Sequence, residues 1–268
     1  MADIRRTAAR VSAGELQQRV PASASEHADE FAHLNRDINN MLDRIQALMD
    51  GVRNVSDSIA HNVRTPLARV LTRLRMAQAG EAAALAQANQ YAVAQIEELI
   101  VMVEKLLQIA EAESGMRRQG FSAVRLDCIC ADVAELYGPM AEEGGCRLEM
   151  AVGEPVRMHG DADLLAGMIA NLVENAIKYA GRPARVRIEA EQQGETVSLT
   201  VRDDGQGIPR PHLARLGTRF HRVDRSTPGY GLGLASVRAT AGLHGGSVRF
   251  RDAAPGLAVD IVFPAPTA

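Results

Sequence analysis

Eight apolar residues, Leu34, Ile38, Met41, Ile45, Leu48, Val52, Val55 and Ile59, follow one another at alternating steps of four and three. A single helix lying on a globular body needs no strict seven-residue period, whereas helices that supercoil about each other do. The run therefore predicts a coiled coil or bundle, with a partner helix from a second copy of the chain. Before it, residues 4–16 read as a short helix ending at Gly14. Residues 17–27 read as a polar connector with Pro21, and Asp29 and Glu30 suit the start of the long helix.

The seam also orients one histidine. His61 lies two residues past Ile59, about 200° around the helix, and so points away from the bundle into water. Its context is S-I-A-H-N-V-R-T-P-L, residues 58–67. Thr65 shares its face four residues on. Pro66 lacks the N–H that would bond the carbonyl of Asn62 and crowds that carbonyl, so a bend is expected just below His61. Apolar positions resume at Val63, Val70 and Leu74. Ala79 and Gly80 mark a turn, and a second heptad line runs Ala92, Ile96, Leu99, Val103, Leu106 and Ala110, stopping near Ser114. Two such antiparallel helices form a hairpin, and two hairpins form a four-helix bundle.

Composition narrows the function classes. The 268 residues suffice for more than one modest domain, and with 3% aromatics and no Trp the cores must be aliphatic and Ala-rich. A net charge of -3 gives a nucleic-acid partner no electrostatic support. The three cysteines, Cys128, Cys130 and Cys146, form no disulfide framework. Cys128 and Cys130 lie two apart in a helical pattern and point to different faces, which argues against a metal site. No apolar run is long enough to cross a bilayer and no signal peptide is present. Met1 and Ala2 lead straight into polar helix, as in a chain from which an upstream membrane segment has been removed.

After Gly120 the texture changes to strands alternating with helices. Helices are expected over residues 126–143, 161–180 and 232–244. Strands are expected over 147–152, 184–190, 196–202, 247–251 and 258–263, with a hairpin around Gly194. Strands with helices on one face make an α/β sandwich.

Three motifs in this half carry chemistry. In N-L-V-E-N-A-I-K-Y, Asn171, Asn175, Lys178 and Tyr179 fall on one helix face. Two amides, a cation and an aromatic suit a nucleotide: amide oxygen for hydrated Mg²⁺, ammonium for phosphate, ring for adenine. The competing reading is a solvated face. In D-D-G-Q-G-I-P, Asp203 ends a strand and can accept from an exocyclic amine, while Gly205 and Gly207 let backbone pass close to a flat base. In G-Y-G-L-G-L, residues 229–234, Gly231 and Gly233 beside Leu232 and Leu234 let N–H groups approach phosphate at a helix N-terminus. Between the last two motifs, Arg210, Arg215, Arg219, Arg222 and Arg225 surround Phe220, either as a mobile lid or as a plain surface loop. His33, His159, His212 and His244 read as surface or structural residues, and His221 falls within the basic segment.

Together with the His61 stretch, these motifs resemble the bacterial sensor histidine kinases over nearly the whole chain, in the family's order. The implied organisation is multidomain. Residues 1–50 are similar to a HAMP signalling segment with a clipped first helix, and 51–115 to the dimerisation and histidine-phosphotransfer hairpin. Residues 120–268 are similar to the ATP-binding sandwich shared with the Hsp90 and gyrase families. The implied fold is thus an all-α coiled-coil or four-helix-bundle region followed by an α/β sandwich.

The resemblance implies His61 as phosphoacceptor and Thr65 as the residue positioning water for dephosphorylation of a partner. It implies Mg²⁺ held by Asn175 with Asn171 assisting, phosphates met by Lys178, Gly231 and Gly233, and adenine met by Tyr179, Asp203, Gly205 and Gly207. Arg219, Phe220 and Arg222 belong to the implied lid, and ATP and Mg²⁺ are the implied cofactors. The implied partners are a second copy, a response regulator and an upstream transmembrane sensor segment, which would make the chain the cytoplasmic portion of an inner-membrane protein. One position departs from the family: an acidic residue usually follows the phosphoacceptor, and here it is Asn62. An amide accepts a hydrogen bond but not a proton at neutral pH. The alternative this raises is a kinase-weak scaffold or phosphatase.

Overall fold

The computed structural model describes residues 6–7, 10, 15, 17–21, 35–36, 38–40, 42–43, 62–78, 82–114, 120–153, 155–224, 227 and 229–265. His61, His33, and every residue of the first heptad seam except Ile38 lie outside them. The chain divides into two compact units, Met1–Asn89 and Gln90–Ala268.

In the first unit, the described residues around 6–10 and 35–43 are helical and 18–21 carry no regular secondary structure. The Asn39 side chain fastens the connector: its Oδ1 accepts from the Val20 N–H at 2.8 Å, and its Nδ2 donates to the Val20 carbonyl at 3.0 Å. An amide supplies both a donor and an acceptor, so it pairs with a backbone segment as a strand does. Helix α1, residues 62–77, runs through Pro66 without a break in helical assignment. Val70 is buried, Val63 and Leu74 are half-buried, and Thr65 is exposed, as the spacing predicts.

Helix α2 spans Ala82–Ser114. Its buried residues are Ala88, Ala92, Leu99, Met102, Leu106, Ile109 and Ala112, while Ile96 is 46% exposed. The heptad line thus holds at Ala92, Leu99 and Leu106 and fails at Ile96. Met102 lines a cavity of the sheet-containing unit and Ala112 faces residues of its last helix, so part of the burial on α2 is set by that unit. A seam count includes no such contact.

The second unit is built on a five-stranded mixed sheet. Its elements are β1 (Ser122–Arg125), α3 (Leu126–Glu143), β2 (Cys146–Val152), β3 (Arg157–Gly160), α4 (Ala162–Tyr179), β4 (Ala184–Gln193), β5 (Thr196–Asp203), α5 (Arg210–Leu213), α6 (Gly233–Leu243), β6 (Ser247–Asp252) and β7 (Leu257–Pro264). The sheet order is β2-β4-β5-β7-β6, with β2 parallel to β4 and every other pair antiparallel. β1 and β3 pair antiparallel as a separate two-stranded ribbon. Neither of these two strands, nor α5, carries a sequence signal, because each is only four residues long.

Alternation along the strands makes the layers. On β4, Val186, Ile188 and Ala190 are buried while Arg187 and Glu189 face outward and pair at 2.9 Å. The inner row packs with Val197, Leu199, Ile261 and Phe263 against α3, α4 and α6, whose contributions include Leu126, Ile169, Val173 and Val237. The core is aliphatic, as the composition requires.

His244 ties together the ends of α4 and α6 that lie away from their motifs. Its Nδ1 lies 2.8 Å from the Thr240 carbonyl oxygen, so that nitrogen carries the hydrogen. Nε2 then accepts from the Asp161 N–H at 3.1 Å, at the N-cap of α4. Phe121 stacks on the ring at 4.5 Å. The structural reading of this histidine holds.

Candidate functional site

The motifs sit at the ends of elements that the core fixes. Asp161 caps α4 by accepting from the Leu164 N–H at 3.1 Å. The hydrophobic face of α4, with Leu165, Met168, Ile169, Leu172, Val173 and Ala176, is buried. Asn171, Asn175, Lys178 and Tyr179 are thereby turned toward a cavity of about 370 Å³, a size that suits a small organic ligand.

Three sequence-distant motifs line that one cavity. From α4 come Asn171, Asn175, Lys178 and Tyr179; from the end of β5 come Asp203 and Gly207; from the turn into α6 come Gly231, Leu232, Gly233 and Leu234. Arg222 and His221 line it from the intervening segment. Three expected residues do not. Gly205 packs outside the cavity, where a Cβ would stand 2.2 Å from the Ala180 carbonyl oxygen. Glycine there lets the chain leave β5 past the end of α4, a packing role that the motif did not suggest. Arg219 turns away to pair with Glu113 of α2. Phe220 has a φ of 61°, and its N–H donates to the Gly231 carbonyl at 3.1 Å, bracing the segment from outside.

Asp203 is 8% exposed, and burial pushes its carboxyl above the usual range. Oδ1 accepts from the N–H groups of Gly205 at 3.0 Å and Leu257 at 3.3 Å, which oppose that shift. Both bonds end on one oxygen. Among the described residues the other remains for an incoming donor. Around it lie Val201, Ile208, Leu257 and Val259, an apolar slot for a flat ring.

The opposite end of the cavity is polar and cationic. Asn171 donates through Nδ2 to the Gly167 carbonyl at 2.8 Å, which leaves Oδ1 turned inward. Asn175 makes no protein hydrogen bond among the described residues. A Cβ on Gly233 would stand 3.1 Å from Asn175 Nδ2 and 3.4 Å from Asn171 Oδ1, so any side chain there would fill the space before both amides. Burial lowers the Lys178 ammonium pKa, and the nearby Arg222 lowers it further. Arg222 donates to the carbonyls of Gly229, at 2.6 Å, and Thr227, folding its segment on itself. Its Nε and the Nε2 of His221 are enclosed without a hydrogen-bond partner. Burial, with Arg215 and His212 beside it, lowers the His221 pKa.

Two inward-facing amides, two cations and a small-residue cradle fit a polyphosphate and a hard cation that prefers oxygen ligands. No cluster of three or more His, Cys, Asp or Glu residues exists among the described residues, so any cation here would be held by amide oxygen and ligand. Lys105, Met102, Thr218 and Tyr230, none of them named as a site residue from the sequence, also line the cavity. Tyr230 lies inside a motif and could have been named. Lys105 sits in the middle of a helix with no local signal.

Residues 160–267 match the family of histidine kinase-, DNA gyrase B- and HSP90-like ATPases. The chain is 29% identical to the sensor protein IrlS of Burkholderia pseudomallei (strain K96243) over 256 residues, 92% of this chain and 54% of that one. It is 31% identical to the probable sensor protein PcoS of Escherichia coli over 226 residues, 82% of this chain and 48% of the other. The chain thus spans about half the length of the curated relatives it matches. The crystal structure of histidine kinase ThkA in complex with response regulator protein TrrA superposes with a TM-score of 0.66 at 19% identity. It covers 83% of this chain and 64% of that chain, a likeness of fold.

Proposed function

The chain belongs to the bacterial two-component sensor histidine kinases, and from that premise we propose that it transfers the γ-phosphoryl group of ATP to His61 and then to an aspartate of a response regulator. The observation that supports this reading most is the convergence of three separated motifs on one cavity with an apolar, carboxylate-ended slot and a cationic, amide-lined end.

Adenine lies in the slot with its amino group donating to Asp203. Tyr179, 37% exposed at the rim, covers the ring. The phosphates meet Lys178, Arg222 and the N–H groups at the start of α6. Asn175, with Asn171, would hold Mg²⁺ through amide oxygen, and the ion would supply charge neutralisation at the phosphates. A ring nitrogen of His61 attacks the γ-phosphorus, the bond to the β–γ bridging oxygen breaks, and ADP departs. The imidazole loses its ring proton to solvent, because Asn62 cannot take it. In the second transfer a carboxylate oxygen of the regulator attacks phosphorus, the N–P bond breaks, and the ring recovers a proton. Positioning and charge neutralisation supply most of the catalysis.

A homodimer completes this reading. Leu67 and Leu71 on α1, with Val93, Ile96 and Ile100 on α2, are large apolar side chains left exposed in the single chain, and a second copy would cover such surface. Incubation with γ-labelled ATP tests the proposal. An acid-labile protein label that is absent from His61→Ala is expected. Label retained in that variant, or no label with nucleotide bound, counts against it. The second outcome would favour the other reading, a nucleotide-binding scaffold with regulator phosphatase activity, for which Asn62 and the exposed Thr65 on α1 speak.

A further inference from the structure

Helix α2 forms one wall of the nucleotide cavity. Val101, Met102 and Lys105 line it, and Met102 is fully buried. Lys105 stands between two ties. Seven residues before it, Glu98 accepts from the Tyr230 hydroxyl at 3.4 Å; eight residues after it, Glu113 pairs with Arg219. One tie reaches the glycine-rich turn and the other the basic segment, so α2 is held against both ends of the phosphate-side wall.

Lys105 Nζ lies 3.5 Å from Asn171 Oδ1, the outer limit of a hydrogen bond. Among the described residues it has no carboxylate partner. Its positive charge lowers the Lys178 pKa, which puts three cations, Lys105, Lys178 and Arg222, on one cavity. Glu174, the acid nearest in sequence to the amide motif, is occupied by the Tyr137 hydroxyl at 2.6 Å. Glu174 and Asp224 also line the cavity and offset part of the charge on Lys178, but among the described residues neither pairs with Lys105, and an ammonium in that position binds phosphate as a point charge.

We infer that Lys105 is a phosphate-binding residue of the nucleotide site, supplied by the helical hairpin rather than by the ATP-binding domain. The inference rests on the nucleotide reading above. A bound triphosphate therefore bridges Lys105 and the residues of α4 and α6. Nucleotide occupancy then bears directly on where α2 sits, with no intermediary.

The test is calorimetric titration of the full chain, in Mg²⁺, with AMP, ADP and a non-hydrolysable ATP analogue. Lys105→Met keeps the aliphatic stem and removes the charge; Lys105→Arg keeps the charge. The expected result is a gradient: Lys105→Met weakens the ATP analogue by about 10-fold, as loss of a hydrogen bond to a charged group does, weakens ADP less, and leaves AMP within about 2-fold. Lys105→Arg restores most of the loss. A folding defect would weaken all three ligands alike, so a uniform loss overturns the inference, as does wild-type affinity for all three. Tighter binding of the analogue by Lys105→Met also overturns it, because Lys105 would then be competing with the cation. A wild-type chain that binds none of the three overturns the nucleotide reading itself.

Discussion

Asn62 and Asp203 show how far single residues can be interpreted. Asn62 is half-buried at the start of α1, one position from His61, the proposed phosphoacceptor. Its chemistry follows from its identity alone: it can orient an imidazole and cannot take its proton. General-base assistance commonly contributes 10²–10⁴-fold, so Asn62→Asp is expected to raise the autophosphorylation rate by on the order of 10²-fold. Rates compared side by side with γ-labelled ATP check this, and equal rates would remove the proton-acceptor argument. Asp203 was equally legible as a carboxylate at a strand end, but its burial and the two N–H groups that occupy one of its oxygens come from β7 and the turn after β5. Gly205 marks the limit. Its motif suggested contact with a base, and the backbone of Ala180, which forces glycine there, is 25 residues away in sequence.

At the scale of elements, the first turn of α3 joins three pieces of the second unit. Asp127 takes both arms of the Arg125 guanidinium and accepts from the Val156 N–H at 3.2 Å. The hydrogen bonds from Arg125 come first among the causes that hold its carboxyl down to about 2, and its burial opposes them. A carboxylate of depressed pKa stabilises the fold above its unfolded value, about 3.9, and that contribution fades as pH falls through the folded value. Asp127→Asn is therefore expected to lower the melting temperature at neutral pH by about 2–4 °C. It should also flatten the dependence of melting temperature on pH between about 4 and 2. A melting series from pH 7 to pH 2 measures both, and parallel curves for the two proteins would contradict the assignment. Among the longer elements, α4 and the β4–β5 hairpin were readable because each carries a full period of burial. β1, β3 and α5 were not, since four residues hold too little periodicity.

At the scale of the molecule, the heptad seam of residues 34–59 and the sheet domain are expected to communicate through the phase of one helix. Inserting a residue between Val52 and Val55 rotates everything after it by about 100° relative to the seam. Autophosphorylation is expected to change several-fold in such a variant, by the same assay used for Asn62, and unchanged output would uncouple the seam from His61. The sequence by itself determined the strands and helices with long periodicity and the motif residue types that meet at the cavity, whereas the division between the two compact units falls inside α2, where no change of sequence texture marks it. Those elements and motifs follow from local spacing, which a chain carries wherever it folds. Tertiary structure alone decided that Met102 and Ala112 join the buried face of α2 while Ile96 stays exposed, and that Arg219 binds Glu113 in place of the cavity. It also decided that Lys105 stands before Asn171, 66 residues further along the chain. Each of those outcomes is a contact between elements distant in sequence, and no local period encodes which distant surface a helix face will meet.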